Sequence, residues 1–274
     1  MSAHPVGTSV WIDFGSNDFA ASTTFYRELF GWEFTDSGPE MGHYHMITNR
    51  GALVGGAMDT SGMTCPEGGP IPSSWTVYLA VDDADARAEK AAAAGATVIV
   101  PPTDAGAAGR HVVLLDPTGA DLGMWQAGEI TGYEFTGRPG SPVWFEVMSQ
   151  DIEATKAFYS EVFDFDPTPM GEPMDEDAER GAFVYYTNGP QEQASSGMCD
   201  ASGFVPAEAG SFWRVYLAVE SCDPAARRVE ELGGKLLDGP DDSPFGRIAT
   251  VADPQGATFQ IAAPSEAVPE GAGG

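Results

Sequence analysis

From residue 10 apolar and polar positions alternate, and Trp11 and Asp13 share one side, which predicts a short strand over Val10–Phe14. A polar turn, Gly15-Ser16-Asn17, follows. Asn17 or Asp18 can cap a helix behind it by accepting backbone N–H bonds. Ala21, Phe25 and Leu29 then recur at helical spacing, with Phe30 beside them, and Gly31 suits the position just past a helix end. Strands predicted over Trp32–Thr35, His43–Thr48 and Leu53–Met58 complete a β-α-β-β-β module.

The pattern returns 133 positions later, where WFEVMSQDIEATKAFYSEVFDF from Trp144 matches WIDFGSNDFAASTTFYRELFGW from Trp11. A second kind of module opens with WTVYLAVDD at Trp75 and again with WRVYLAVES at Trp213. Here helices are predicted over Asp83–Ala94 and from Asp223, which reads as the cap of a helix with Pro224 in its first turn. Both modules carry a D-P-x-G turn before their last strand, at Asp116 and Asp253. The chain therefore reads as an α+β protein of four βαβββ modules in two domains, with cup-shaped mixed sheets and outer helices. The first domain is 8–127 (modules 8–60 and 74–127), and 128–141 is a linker. The second is 142–263 (modules 142–200 and 212–263), and 264–274 is a disordered tail. A long acidic loop is expected over Pro169–Arg180, with Asp175-Glu176-Asp177 inside it.

Composition narrows the partners. A net charge of −28 repels nucleic acid and anionic membranes, which need clustered Lys and Arg. It fits solubility or salt adaptation, with attraction of a cationic ligand as the other reading. No apolar run approaches the ~18–20 residues of a membrane span, and the first residues lack a signal-peptide pattern, so the expected location is cytoplasmic. Three cysteines without a C-x-x-C suggest neither a disulfide framework nor a cysteine zinc site. A monomer of tandem domains or a homodimer is expected.

Three kinds of feature together, from about residue 8 to 263, resemble the vicinal oxygen chelate superfamily of glyoxalase I, bleomycin-resistance proteins and extradiol dioxygenases. They are the strand-turn-Asp-helix units with Phe25-Tyr26 and Phe158-Tyr159, the Val81–Gly95 segment, and the D-P-x-G turns. More narrowly the chain resembles tandem actinobacterial glyoxalase-like proteins. The resemblance implies a divalent metal (Ni, Zn, Fe or Mn) held inside the cup. A His or Gln seven residues before the helix-opening Asp and a Glu seven residues after the D-P-x-G Asp would supply its ligands. Counting gives Trp11, Trp75, Trp144 and Trp213 at the first positions and Gly123 and Gln260 at the second, so only Gln260 offers an oxygen. No metal or other cofactor is expected on this count.

The four tryptophans are either core filling or a stacking wall for a flat ligand. Asp13 and Glu146 share a strand face with Trp11 and Trp144. They are either solvated or arginine-paired acids, or a general base and hydrogen-bond acceptor in an aromatic cup. His43 and His45 share a face and offer a ligand contact or a base. The expected function is binding of a small organic molecule in aromatic cups without metal, with acid–base turnover or a resistance role. The alternatives are a metal-dependent lyase, isomerase or dioxygenase, and a degenerate structural or interaction module.

Overall fold

The computed structural model describes residues 4–65, 68–170 and 184–267. The acidic cluster at 175–177 and the last seven residues lie outside the described residues. Four βαβββ modules follow one another. The first holds β1 (Ser9–Ser16), α1 (Phe19–Phe30), β2 (Trp32–Asp36), β3 (His45–Asn49) and β4 (Ala52–Asp59). The second holds β5 (Ser74–Ala80), α2 (Ala84–Ala93), β6 (Thr97–Asp104), β7 (Gly109–Leu115) and β8 (Asp121–Ala127). The third holds β9 (Pro142–Ser149), α3 (Ile152–Phe163), β10 (Thr168–Pro169), β11 (Tyr185–Thr187) and β12 (Gly197–Asp200). The fourth holds β13 (Phe212–Ala218), α4 (Cys222–Glu231), β14 (Lys235–Ser243), β15 (Gly246–Ala252) and β16 (Thr258–Ala263).

The strands form two eight-stranded mixed sheets, ordered β2-β3-β4-β1-β5-β8-β7-β6 and β10-β11-β12-β9-β13-β16-β15-β14. In every module the first and last strands run parallel or lie beside a parallel partner: β1 with β4, β5 with β8, β9 with β12 and β13 with β16. The helix is the crossover that makes each parallel pair possible.

The hydrogen-bonded sheets follow the sequential halves of the chain, whereas its two compact packing units do not. One unit contains Met1–Trp11, Thr76–Gly132 and Phe145–Arg214; in it α2 packs on α3. The other contains Ile12–Trp75, Tyr133–Trp144 and Val215–Gly274; in it α1 packs on α4.

Within each unit the motifs that carry the family resemblance meet as one buried chain of hydrogen bonds. In the first, the Trp213 Nε1–H donates to the Tyr159 hydroxyl at 2.8 Å, and that hydroxyl donates to Asp116 Oδ2 at 3.0 Å. Asp116 also accepts the backbone N–H groups of Thr118 and Ala120, which closes the D-P-x-G turn. In the second, Trp75 Nε1–H donates to the Tyr26 hydroxyl at 3.2 Å, and Asp253 stands beside that hydroxyl. Asp253 accepts from Ser22 and from the backbone of Gln255 and Ala257. Burial, followed by the nearby aspartate charge, pushes both tyrosines well above their ordinary pKa, so both stay neutral donors. Tyr159→Phe should therefore cost roughly 1–3 kcal/mol, because it strands the Asp116 oxygen and the Trp213 N–H. Urea denaturation measures this; an unchanged midpoint would show that the relay carries no stability.

Asp18, Asp83 and Asp151 cap α1, α2 and α3 by accepting from the backbone N–H three residues on. The fourth helix differs from expectation. It starts at Cys222 behind Ser221, so Asp223 lies inside its first turn and pairs with Arg247 at 2.5 Å. Ser221 makes no side-chain cap bond. The cap comes instead from Glu266, which accepts from the Ser221 hydroxyl at 2.7 Å and the Cys222 N–H at 3.1 Å. The start of the expected disordered tail, Pro264–Glu266, is thus a short 3-10 turn with a structural task.

Candidate functional site

The faces of the first strands decide which residues can meet a ligand. On β1, Phe14 packs edge-on against Tyr26 of α1 and the Ser16 hydroxyl meets that of Ser22, so Val10, Ile12 and Phe14 face the helix. Strand alternation then puts Trp11 and Asp13 on the opposite face. On β9 the Ser149–Thr155 hydroxyl contact plays the same part and leaves Trp144, Glu146 and Met148 opposite the helix.

Trp75 and Trp213 go the other way. Both hydrogen-bond a helix tyrosine, and Trp75 also packs on Phe14 at 4.9 Å, so they are core residues on the helix side. The slip is one residue. The cap of α2 is Asp83 rather than Asp82, whose carboxylate is held by Arg87, and the cap position of α4 is Ser221. Seven residues before these lie Thr76 and Arg214, and a one-residue shift exchanges the faces of a strand.

The positions facing away from the helices are therefore Trp11, Thr76, Trp144 and Arg214 on the first strands, and Gly123 and Gln260 on the last. Gln260 is buried and its amide is engaged with the Thr250 hydroxyl at 2.9 Å. Tryptophan, arginine and glycine side chains offer no lone pair to a cation, and among the described residues no three His, Cys, Asp or Glu converge on a common point. The donor set does not fit the divalent metal that the family implies.

The two histidines do not join Asp13. His43 has φ 57°, lies in an exposed turn, and its Nδ1 contacts Asp36 at 2.9 Å. His45 lies with its ring 4.6 Å from that of Phe19 in α1, on the helix side of β3. Between them Tyr44 takes the opposite direction, and its hydroxyl donates a short hydrogen bond to Asp13 Oδ1. The left-handed His43 and the 3-10 turn at Pro39–Met41 set that direction. Gly56 is the register partner of Asp13 on β4, and a Cβ there would overlap the Tyr44 hydroxyl.

The third module repeats this plan with different chemistry. Glu146 is the register partner of Gly197, and a Cβ on Gly197 would overlap the Tyr185 hydroxyl. Glu146 is 5% exposed and pairs with Arg214 across 3.4 Å. Cys199 lies nearby, its thiol pushed up to about 12 by burial and then by the Glu146 charge, so it remains a neutral thiol and not a nucleophile. Gly123 likewise clears space for the Tyr78 ring. The room that glycines leave in three last strands is filled by tyrosines.

Asp121, on β8, accepts from Thr76 at 3.1 Å, and burial followed by the Asp116 charge raises its pKa. At low pH it is neutral in both folded and unfolded chains. As pH rises through about 3.9, the ordinary aspartate value, the unfolded chain ionises first and stability falls. Asp121→Asn should therefore raise stability at pH 7 and leave it unchanged near pH 3, as urea midpoints at the two pH values will test. Equal effects at both would reject desolvation as the cause.

This fold, with acids and tyrosines facing away from the helices, defines a tandem glyoxalase-like protein. The chain belongs to the Glyoxalase/Bleomycin resistance protein/Dioxygenase superfamily, whose profile matches residues 8–124 and 141–261. It is 36% identical to anthracycline biosynthesis protein DnrV of Streptomyces peucetius, over 100% of this chain and 99% of the relative. It is 34% identical to anthracycline biosynthesis protein DauV of Streptomyces sp. strain C5, with the same two shares. Among solved structures it is similar in fold to the Mn(II)-bound glyoxalase of Novosphingobium aromaticivorans. That match has a TM-score of 0.61 and 16% identity, and covers 97% of this chain and 84% of the other. Among the described residues no helix is long and apolar enough to cross a membrane.

Proposed function

We propose that the protein binds a flat organic molecule bearing hydroxyl or carbonyl groups in aromatic cups, without a metal, and moves a proton through Asp13 and Tyr44. The observation that carries this reading is the Tyr44 hydroxyl donating to Asp13 while Gly56 keeps the tyrosine in place. A phenol hydrogen-bonded to a carboxylate is poised to relay: a ligand proton passes to the Tyr44 oxygen as the Tyr44 proton passes to Asp13. Glu146, at the matching place in the other unit, is paired with Arg214. Trp11, itself buried, and Trp144, half-buried, lie on the same strand faces as the acids. The kinship with two proteins named for anthracycline biosynthesis supports a flat, polycyclic, oxygenated ligand.

The test is a titration with 1-hydroxyanthraquinone, a neutral molecule of this class, followed by quenching of tryptophan fluorescence. Saturable quenching that weakens in Tyr44→Phe is the expected result. Quenching that does not saturate, or is identical in Tyr44→Phe, would overturn the reading. Sequestration for resistance would use the same binding without turnover.

A further inference from the structure

Four arginines of this chain share one arrangement. Arg87 holds Asp82 and Asp164, and Arg110 holds Asp85 and Asp104. Arg247 holds Asp223 and Asp242, and Arg228 holds Glu28 and Glu231. Each of these four guanidinium groups sits between two carboxylates. Arg214 stands apart. It meets one carboxylate, that of Glu146, through a single contact at 3.4 Å. It does so on the face of the sheet turned away from the helices, with about a quarter of its side chain exposed. A guanidinium has five N–H donors arranged to grip a carboxylate with two parallel bonds. Among the described residues, Glu146 is its one hydrogen-bond partner.

The guanidinium also has an apolar border. It lies 5.6 Å from the centre of the Phe212 ring. Phe212, with Met170 and Val205, packs against a buried cluster of Met148, Tyr185, Cys199 and Ala201. A cation beside such a wall matches a ligand with an anionic head and an apolar body.

We propose that Arg214 is the anchor of an organic-acid site, in which the carboxylate of an aromatic acid takes the second place on the guanidinium and its ring lies toward Phe212. Glu146 then positions the arginine and keeps the empty site neutral. Charge selects the ligand: in a protein of net charge −28, an anion has reason to settle only where a cation is held locally. This site is separate from Asp13 and Tyr44, and its failure would leave the reading of that pair standing.

Isothermal titration of the whole chain with benzoate, benzamide and acetate tests it. Benzoate should bind, with benzamide and acetate each at least tenfold weaker, because one lacks the charge and the other the ring. Arg214→Lys should retain part of the benzoate affinity, since a lysine keeps the charge but not the fork. Arg214→Gln should lose it at least tenfold. Should that variant fold poorly, the pair Glu146→Gln/Arg214→Gln, which removes both charges together, should fold and show the same loss. Absence of benzoate binding by the unaltered protein, equal binding of benzoate and benzamide, or full benzoate affinity in the double variant would each overturn the proposal.

Discussion

Arg214→Met should destabilise the protein by about 3 kcal/mol at neutral pH, at the lower end of what breaking a buried ion pair costs. Glu146 is 5% exposed, so removing Arg214 takes a cation away from a carboxylate in a place water scarcely reaches. The lower end applies because Arg214 itself is partly exposed and the pair is separated by 3.4 Å. Most of the loss comes from keeping a carboxylate buried without this arginine and not from the attraction forgone. Adding Glu146→Gln to Arg214→Met should therefore recover the larger part of it. A guanidinium chloride titration of the two single variants and the double variant reads the coupling. If the double variant is as unstable as Arg214→Met alone, the cost lies in packing around Phe212 and not in charge.

The second large effect concerns chemistry. If the proposed relay through Asp13 and Tyr44 turns a ligand over, Asp13→Asn should lower kcat by about 10²–10⁴-fold, the usual range for removing a positioned general base. The substitution keeps size and hydrogen-bonding capacity, so the fold and much of the binding should survive. Gly56→Ala provides an independent arm. It alters neither Asp13 nor Tyr44, yet the new methyl group claims the position of the Tyr44 hydroxyl. It should lower turnover too, by moving the tyrosine off the carboxylate. Steady-state kinetics with both variants decides the matter, and unchanged kcat in Asp13→Asn would reject the role.

The repeat made the architecture readable. Strand alternation at Trp11 and Asp13, the Phe-Tyr pairs and the D-P-x-G turns all mark modules, and the tyrosines and turn aspartates prove to be parts of a packed structural relay. Local chemistry misled where two candidates were adjacent. Asp82 and Asp83 are both able to cap a helix; Arg87 takes the first and leaves the second for α2. That one-residue choice sent Trp75 and Trp213 to the wrong face on paper and hid Arg214, although the matched segments WTVYLAV and WRVYLAV place Arg214 opposite Thr76. Tyr44 was hidden for another reason. Its direction depends on the left-handed backbone of His43, which no periodicity reports, and the two flanking histidines drew the eye. The partners of Asp116 and Asp253 are 43 and 231 residues away, beyond any local pattern.

Asp13 and Tyr44, on the proposed reading, recognise an organic ligand without a metal. The most direct test of that reading is the 1-hydroxyanthraquinone titration of chelator-dialysed protein, with and without added Mn(II), on the unaltered chain and on Tyr44→Phe. The affinity should be the same with and without Mn(II), with a clear loss in Tyr44→Phe under both conditions. Binding that returns only with Mn(II), and is indifferent to Tyr44, would contradict that reading.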